Sequence, residues 1–308
     1  MVSATGGSDL RRENKGHGSL TFVLTGGLGN QLFQIAMAEM VRVRGRPVNI
    51  DQRFVRSPFR GLSIPDLSTT PSTVSPELHN CSFDAALVRP AGIPFLSELQ
   101  HLVSDRSLCC VRGYFQYVEL LEAQEVRHRL GNLIGELLAV TGVKVQPEEH
   151  NAMHIRLGDY TRSSVAAEYG CLGPQYYSIA LERLSARPVR VVTDDRRALR
   201  KLLPEVSTFD PRVSVGRLAE AQALGVLVRA QSIAIGNSTF SLWAAWFRSA
   251  GRRRVANVYF PSPWFRNGRE FELGRLGWTP LESDFLDPSM LNLPMRRLRT
   301  SRLRALFW

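Results

Sequence analysis

The sequence predicts an α/β protein built from two parallel-sheet domains that face each other. Both halves of the 308-residue chain alternate short apolar runs, typical of buried strands, with segments whose apolar residues recur at helical spacing. A polar stretch at 142–150 separates the halves. We therefore expect a disordered leader at 1–18, an N-terminal domain at 19–150, a C-terminal domain at 151–290 and a basic tail at 291–308.

The first half opens with the pattern of a β-α-β unit. Leu32, Ala36, Met40 and Val43 recur at helical spacing after a glycine turn, and a proline at position 47 ends this helix. In chain order we predict a strand at 20–25, a helix at 30–44, a strand at 48–51, a surface excursion rich in Pro, Ser and Thr at 56–80, a strand at 108–111 and a helix at 117–140.

The second half repeats the alternation of strands and helices. Polar or glycine-containing loops follow several of its apolar runs, which is how ligand-binding loops are placed in parallel α/β sheets. In chain order we predict a strand at 151–155, a helix at 174–186, a strand at 189–192, helices at 196–203 and 216–230, a strand at 232–235, a helix at 240–249 and a last strand at 255–260.

The charge balance favours anionic partners. The net charge is +11, and only three of the 39 basic residues are lysines. A positive balance suits nucleotide phosphates, nucleic acid or an acidic membrane surface. We exclude nucleic acid, because aromatic residues do not alternate with basic runs and no recognition-helix or zinc-finger pattern is present.

Cysteine usage and hydropathy predict a reduced, cytoplasmic protein. None of the four cysteines forms a C-x-x-C pair, and Cys109 and Cys110 lie in an apolar run where we expect buried thiols. The first 19 residues lack a signal-peptide core, and no apolar run is long enough to span a bilayer. Any membrane contact would be peripheral, through the basic tail, although packing against the protein is the favoured role of that tail.

The segment HIRLGDY at residues 154–160 is the most informative part of the chain. It follows a predicted strand, and residues two apart on a strand share a face, so His154 and Arg156 point the same way. An arginine at a strand end suits a phosphate because its planar fork makes paired, charge-assisted hydrogen bonds. The alternative is that Arg156 pairs with Asp159 and only braces a turn.

The glycine turn GGLGNQ at residues 26–31 joins a strand to a helix. It is not a dinucleotide fingerprint, because the position of the third required glycine holds Leu32, although Asp51 ends the next strand where a ribose contact would lie. Gly29 would let a ligand approach the backbone closely. Asn30 either caps the helix or directs its amide into a cleft between the domains.

Two further loops supply groups for a nucleotide. Asp194 and Asp195 follow a strand, where one would accept hydrogen bonds from a guanine base and the other would cap the next helix. Their spacing is not the D-x-D pattern of a metal site, so we expect no essential divalent cation. The turn of Asn237, Ser238, Thr239 and Phe240 opens a helix, and helix N-termini bind pyrophosphate, although plain capping also explains these residues.

Taken together, these motifs resemble those of the α-1,2-fucosyltransferases, glycosyltransferase family 11. The similar segments occur in the family's order between about residues 20 and 265, and they are GGLGNQLFQ at 26–34, GYFQ at 113–116, HIRLGDY at 154–160 and NSTFSLWAAW at 237–246. The resemblance implies a GT-B-like fold of two Rossmann-type domains facing a central cleft. It also implies inversion at fucose, GDP-fucose as donor and no metal or other cofactor.

The resemblance also implies roles for individual residues. Arg156 would bind the β-phosphate of the donor, with the turn at 238–240 nearby, and the pair of Asp194 and Asp195 would bind guanine. His154 would lie beside the nucleoside, and Asn30 near the reacting centre. The residue that takes the acceptor proton is either Asp159 or the donor phosphate itself.

One position departs from the family pattern. Leu157 stands where the family has a second arginine, so we expect Leu157 to pack inward and the site to hold one cation fewer, unless Arg162 compensates. The implied activity is transfer of fucose to the 2-hydroxyl of a galactose-terminated glycan, in glycan or surface polysaccharide synthesis. The alternatives are a transferase of the same fold that uses another GDP-deoxyhexose, and a non-catalytic nucleotide-sugar-binding protein.

Overall fold

The computed structural model divides the chain into two compact units, residues 1–137 and 138–308. The boundary falls inside a helix that starts in the first unit and ends in the second. The structure describes residues 18–53, 68–69, 87–88, 92–144, 146–161, 166–167, 169–184, 186–204, 213–216, 220–250 and 257–291.

The first unit contains a five-stranded parallel sheet. Its strands are β1 (Leu20–Val23), β2 (Val48–Asp51), β3 (Ser68–Thr69), β4 (Leu87–Val88) and β5 (Cys110–Arg112), in the spatial order β3-β2-β1-β5-β4. Its helices are α1 (Leu28–Val43), α2 (Phe95–Ser104), α3 (Val118–Glu122) and α4 (Gln124–Val140). The chain starts at β1 and places β2 and then β3 on one side of it. The later strands β4 and β5 lie on the other side of β1, so the winding direction reverses beside β1.

The second unit contains a six-stranded parallel sheet. Its strands are β6 (Asn151–Ile155), β7 (Val189–Thr193), β8 (Val213–Gly216), β9 (Ser232–Ala234), β10 (Asn257–Ser262) and β11 (Thr279–Glu282), in the spatial order β11-β10-β9-β6-β7-β8. Its further helices are α5 (Pro174–Arg183), α6 (Arg196–Leu202), α7 (Glu220–Arg229) and α8 (Thr239–Ala250). The winding direction reverses between β6 and β9.

The predicted fold class is confirmed, since each half of the chain forms a parallel α/β unit of the Rossmann type. The strands are apolar on both faces because helices cover such sheets, which is why apolar runs marked them in the sequence. The fully buried pattern of β6 is an example. The leader and nearly all of the basic tail lie outside the described residues, as does most of the surface excursion at 56–80.

Several element predictions were wrong in identifiable ways. The helix predicted from residue 216 begins only at Glu220, because Gly216 ends the unpredicted strand β8. The single helix predicted at 117–140 is broken at Ala123, whose backbone is extended (φ −63°, ψ 129°). The sequence pattern also missed α2, the two-residue strand β4 and the strand β11. The last of these contains Pro280, which an edge strand tolerates.

The two adjacent cysteines differ from each other. Cys110 begins β5 and is buried as predicted, but it is disulfide-bonded rather than a free thiol. Cys109 precedes the strand and is exposed, which contradicts the predicted burial. Neighbouring residues on extended backbone point to opposite sides, so only one of the pair faces the core.

The described helices include none that is long and apolar enough to cross a bilayer.

Arg46 fixes the region around the N-terminal end of the first sheet. Its side chain is fully buried, and its guanidinium donates hydrogen bonds to the carbonyl oxygens of Gly18 (3.0 Å), Leu102 (2.5 Å), Asp105 (2.9 Å) and Leu108. The planar guanidinium carries five N–H donors in a fixed fork, so one side chain can reach all four acceptors. The chain before β1, the end of α2 and the approach to β5 are therefore held by one side chain.

We predict that Arg46→Met lowers the free energy of unfolding by at least about 3 kcal/mol, because several carbonyl groups lose their donor inside the protein. Urea unfolding followed by circular dichroism measures this. The matched control is Arg106→Met, which removes an exposed guanidinium that also bonds Gly18 and should change stability by less than about 0.5 kcal/mol. Equal effects of the two substitutions would contradict the assignment.

Candidate functional site

Three of the predicted motifs meet at the carboxyl ends of neighbouring strands in the second unit. β6 lies between β7 and β9, with Ile155 beside Thr193 and Met153 beside Ala234. The loops that leave these strands carry residues 156–161, 194–195 and 235–238. They surround the point where the winding direction reverses, which is where open α/β sheets form a crevice for ligands.

Arg156 is held between two carboxylates. Its Nη1 lies 2.8 Å from Asp194 Oδ2, and its Nη2 lies 2.5 Å from Asp159 Oδ1. The guanidinium also lies over the ring of Tyr160, 5.4 Å from its centroid. Burial opposes the charge of Arg156, but Asp194 and Asp159 outweigh burial and raise the pKa of Arg156 above its ordinary value. We call Arg156, Asp159 and Asp194 the Arg156 triad.

Asp194 also fixes the backbone of the loop that carries Arg156. Its Oδ1 accepts hydrogen bonds from the backbone N–H groups of Leu157 (2.9 Å) and Gly158 (3.1 Å). A Cβ at Gly158 would overlap the Asp194 carboxylate, so glycine at 158 permits this approach. Asp194 therefore connects the end of β7 to the loop after β6.

Asp195 caps the next helix. Its Oδ1 accepts hydrogen bonds from the N–H groups of Arg197 and Ala198, both at 2.9 Å, at the start of α6. The prediction that one acid of this pair is a helix cap is confirmed. Binding of guanine by either Asp194 or Asp195 stays a prediction, and it would have to coexist with these contacts.

His154 is a buried, neutral residue near the end of β6. It is 3% exposed, and burial, with a smaller effect of Arg156, lowers its pKa to about 3. Its ring packs against Phe240 with centroids 5.6 Å apart, and no described residue bonds its Nδ1 atom. At neutral pH His154 can thus offer a hydrogen-bonding nitrogen to a ligand but no positive charge.

The turn before α8 is partly occupied by internal hydrogen bonds. Asn237 is buried, and its Nδ2 donates to the carbonyl oxygens of Tyr169 and Gly170, both at 3.0 Å. The Ser238 N–H donates to Gly236 O at 2.7 Å, so a phosphate contact through that N–H would require this bond to break. Thr239 and Phe240 are only partly buried and form the first turn of α8.

Leu157 packs into the core of the second unit, as predicted. It is fully buried in a cluster that includes Ile155 and Tyr177. A longer, charged side chain at 157 would need a different direction or a partner inside this cluster, because an isolated buried charge is costly. Arg162, the predicted substitute cation, lies outside the described residues.

An aromatic row beside the triad was not predicted from the sequence. The rings of Tyr160, Tyr169 and Phe265 follow one another with centroid separations of 5.6 Å, and Arg269 lies over Phe265. The Tyr160 hydroxyl donates to Asn237 O at 3.0 Å, which connects the row to the turn before α8. Tyr160 is the last residue of the motif at 154–160, and its position in that motif was the one sign in the sequence that an aromatic side chain lies beside Arg156.

The first unit carries its own two motifs at its own reversal point. Residues 26–31 follow β1 and residues 113–116 follow β5, its neighbour across the reversal. Gln116 Nε2 donates to Asn30 Oδ1 at 3.0 Å. Gly26 has a φ of +77°, and a Cβ there would meet the Asn30 amide at 2.8 Å and the Tyr114 ring at 3.3 Å.

Asn30 is not the helix cap that the sequence suggested. The N-cap of α1 is Gly27, which makes no side-chain cap hydrogen bond, and Asn30 lies within the first turn. Gly29 is buried in the same turn. Asp51 is bound by the guanidinium of Arg53, with contacts of 2.6 to 3.0 Å, so the ribose contact that its position suggested would compete with an ion pair.

Within the described residues, no three His, Cys, Asp or Glu side chains cluster as a metal site would require. The metal-free mechanism remains a prediction.

The family model described as Glycosyl transferase family 11 matches residues 107–282. The O-antigen biosynthesis glycosyltransferase WbnK of Escherichia coli is 24% identical over 188 residues, which are 56% of this chain and 60% of WbnK. The chain thus spans less than two thirds of that relative.

The chain is also similar to several solved structures. NodZ α-1,6-fucosyltransferase soaked with GDP-fucose is 16% identical, with a TM-score of 0.40 over 75% of this chain and 93% of that chain. A mutant of FUT1 from Arabidopsis thaliana in complex with GDP is 12% identical, with a TM-score of 0.44 over 77% of this chain and 70% of that chain.

We predict that His154 makes the protein sensitive to acid. Its folded pKa of about 3 lies below the unfolded value, so the unfolded state binds the proton first as the pH falls below about 6.5. The contribution of His154 to the free energy of unfolding is fully present above about pH 6.5. Below that pH it falls by up to ~1.4 kcal/mol per pH unit. His154→Gln should flatten this slope between pH 6.5 and 5, measured by urea unfolding.

The control for this measurement is His128→Gln, which removes an exposed ring on α4. It should leave the pH slope of the wild-type protein in place. A His154→Gln variant whose stability falls with acid as steeply as that of the wild-type protein would contradict the assignment.

Proposed function

Because the chain belongs to glycosyl transferase family 11, we propose that it transfers fucose from GDP-fucose to the 2-hydroxyl of a galactoside, forming an α-1,2 linkage in glycan or surface polysaccharide synthesis. The observation that carries the proposal is the position of the Arg156 triad at the reversal point of the second sheet. At such a point in a parallel α/β sheet, the ends of strands, the starts of helices and the loop backbone between them can all contact one ligand.

The second unit supplies groups that suit a nucleoside diphosphate. Arg156 is 30% exposed and can present its guanidinium to a phosphate. The partly buried first turn of α8 follows the turn at Gly236, where a Cβ would lie 3.7 Å from the backbone N of Arg156, and the N-terminus of a 12-residue helix favours negative charge. His154 offers an uncharged ring nitrogen, which suits a sugar hydroxyl or a base edge better than a second phosphate.

In the proposed reaction the acceptor oxygen forms a bond to the anomeric carbon of fucose while the bond to the β-phosphate oxygen breaks. The acceptor hydroxyl loses its proton to a base, and GDP leaves with an added negative charge. Without a metal, Arg156 is the described group that neutralises this charge. Asn30 can only orient groups, because an amide is not a base at neutral pH.

We place the acceptor on the first unit, beside its reversal point. Tyr114 is one of few large apolar side chains that are strongly exposed among the described residues, at 43%. Its ring lies against Gly26, next to the hydrogen-bonded amides of Asn30 and Gln116. An exposed aromatic face accepts the C–H face of a pyranose, while neighbouring amides bond hydroxyl groups, so the surface suits a galactose ring.

One observation favours the alternatives. Leu157 is fully buried and uncharged, so the described loop after β6 holds a single arginine for the leaving group. A weaker phosphate site would fit a transferase for another GDP-deoxyhexose or a protein that binds nucleotide sugars without turnover. Cytoplasmic location and contact of the basic tail with a membrane also stay proposals.

The direct test supplies the protein with GDP-fucose or GDP-mannose, with and without lactose, in the presence of EDTA. We expect GDP release and a fucosylated product with GDP-fucose and lactose, with the linkage assigned by NMR. Turnover of GDP-mannose alone would support the other donor class. GDP binding without transfer to any galactoside would support the non-catalytic alternative.

We predict that Arg156→Ala lowers kcat by roughly a hundred- to a thousandfold, since loss of a donor to a developing anion costs ~3–4 kcal/mol in the transition state. Steady-state kinetics with GDP-fucose and lactose measure this. Arg275→Ala, which removes a partly exposed arginine paired with Glu272, is the matched control and should retain full activity. Near-normal turnover by a folded Arg156→Ala variant would exclude the proposed site.

We predict that Tyr114→Ala raises the KM for lactose about tenfold or more and leaves the KM for GDP-fucose unchanged, because only the acceptor loses its aromatic surface. Tyr114→Phe should behave like the wild-type protein. Leu96→Ala removes another exposed apolar side chain, 73% exposed on α2, and should have no effect on either constant. A change in the KM for GDP-fucose alone would refute the assignment.

A further inference from the structure

The two carboxylates that hold Arg156 are themselves held in different ways. Asp194 follows β7 and accepts two backbone N–H groups of the loop after β6 in addition to its ion pair. Asp159 begins the short 3-10 turn Asp159–Thr161, and the contact that the described residues give its carboxylate is the one with Arg156. Among the described residues, the carboxylate of Asp194 has three attachments and that of Asp159 has one.

Several contacts oppose any movement of the Asp194 side chain. Gly158 leaves space for the carboxylate, which would overlap any Cβ at that position. If Asp194 moved away, the N–H groups of Leu157 and Gly158 would lose their acceptor together, and Arg156 would lose one side of its support. Within the part of the chain that the structure describes, moving Asp159 costs its bond to Arg156, and its side chain is 34% exposed and can turn to water.

The charges of the triad oppose the binding of an anion while both carboxylates are in place. Two carboxylates and one guanidinium carry a net negative charge, which repels a diphosphate. The Nη2 edge of Arg156 that faces Asp159 is also the edge that a phosphate oxygen would take for a charge-assisted hydrogen bond. Displacement of the Asp159 carboxylate would remove one negative charge from beside the guanidinium and would free Nη2 for the phosphate.

We propose that Asp159 occupies the anion site of Arg156 until a nucleoside diphosphate displaces it, while Asp194 remains in place as the positioning residue for the guanidinium. Asp159 thus competes with the ligand, and Asp194 assists it. The inference rests on the proposed function only in taking a nucleoside diphosphate as the ligand. It differs from the role of Asp159 as a base and from the role of Asp194 as a guanine contact.

The test compares Asp159→Asn and Asp194→Asn by isothermal titration with GDP at low, fixed ionic strength. We expect Asp159→Asn to tighten GDP binding about three- to tenfold, because the competing charge is gone. We expect Asp194→Asn to weaken it about tenfold or more, because the guanidinium loses its fixed partner. Raising the salt concentration should shrink the first effect.

The matched control is Glu272→Gln. Glu272 forms an exposed pair with Arg275 at the same spacing of three residues, so its removal changes the net charge of the second unit equally. It should leave GDP affinity unchanged. Gly158→Ala provides a second perturbation of Asp194 without loss of charge, and it should weaken GDP binding in the same direction as Asp194→Asn.

Weaker or unchanged GDP binding by a folded Asp159→Asn variant would overturn the proposal. Unchanged binding by both Asp194→Asn and Gly158→Ala would overturn the role of Asp194. A loss of kcat with unchanged GDP affinity in Asp159→Asn would identify a base instead. If the opposite shifts occur but the wild-type protein transfers no fucose, the triad inference stands and the proposed function fails.

Discussion

The placement of both candidate sites depends on one constraint of parallel sheets: all strands end at the same edge, and the chain can leave a central strand toward either side. Where the winding direction reverses, two neighbouring loops diverge and leave a crevice. The reversal lies beside β1 in the first unit and between β6 and β9 in the second. Segments far apart in sequence, such as residues 154–160 and 237–240, become neighbours for this reason.

The polar groups at the second reversal, where we propose the ligand to bind, also stabilise the structure around them. Asp194 and Asp195 satisfy backbone N–H groups of a loop and a helix, and Asn237 holds the segment of Tyr169 and Gly170. These bonds remove the cost of buried or half-buried unpaired donors. The residues that we propose to bind the ligand therefore also have structural roles, and the effect of a substitution at any of them must be separated into the two.

The sequence was sufficient for the fold class, for most strands and for the segments that form the site, because apolar strands of parallel sheets and strand-end loops have strong local patterns. Membership of the family suggested by the motifs is confirmed. The edge strand β11 lacks the apolar pattern of a central strand. The helix break at Ala123 likewise has no local sequence signal. The sequence did not tell which of Asp194 and Asp195 caps α6, nor that Asn30 does not cap α1. Both outcomes depend on backbone geometry that neighbouring residues alone do not specify.

The burial of Leu157 bears on how much the remaining arginine must do. Leu157 lies two residues beyond the end of β6 and packs into the same core cluster as Ile155, so an apolar residue suits this position better than a charged one. With Leu157 in the core, Arg156 is the one arginine of the described loop after β6 that the proposed phosphate site can use. The orientation of that one guanidinium then matters more, and the three attachments of Asp194 are the part of the structure that controls it.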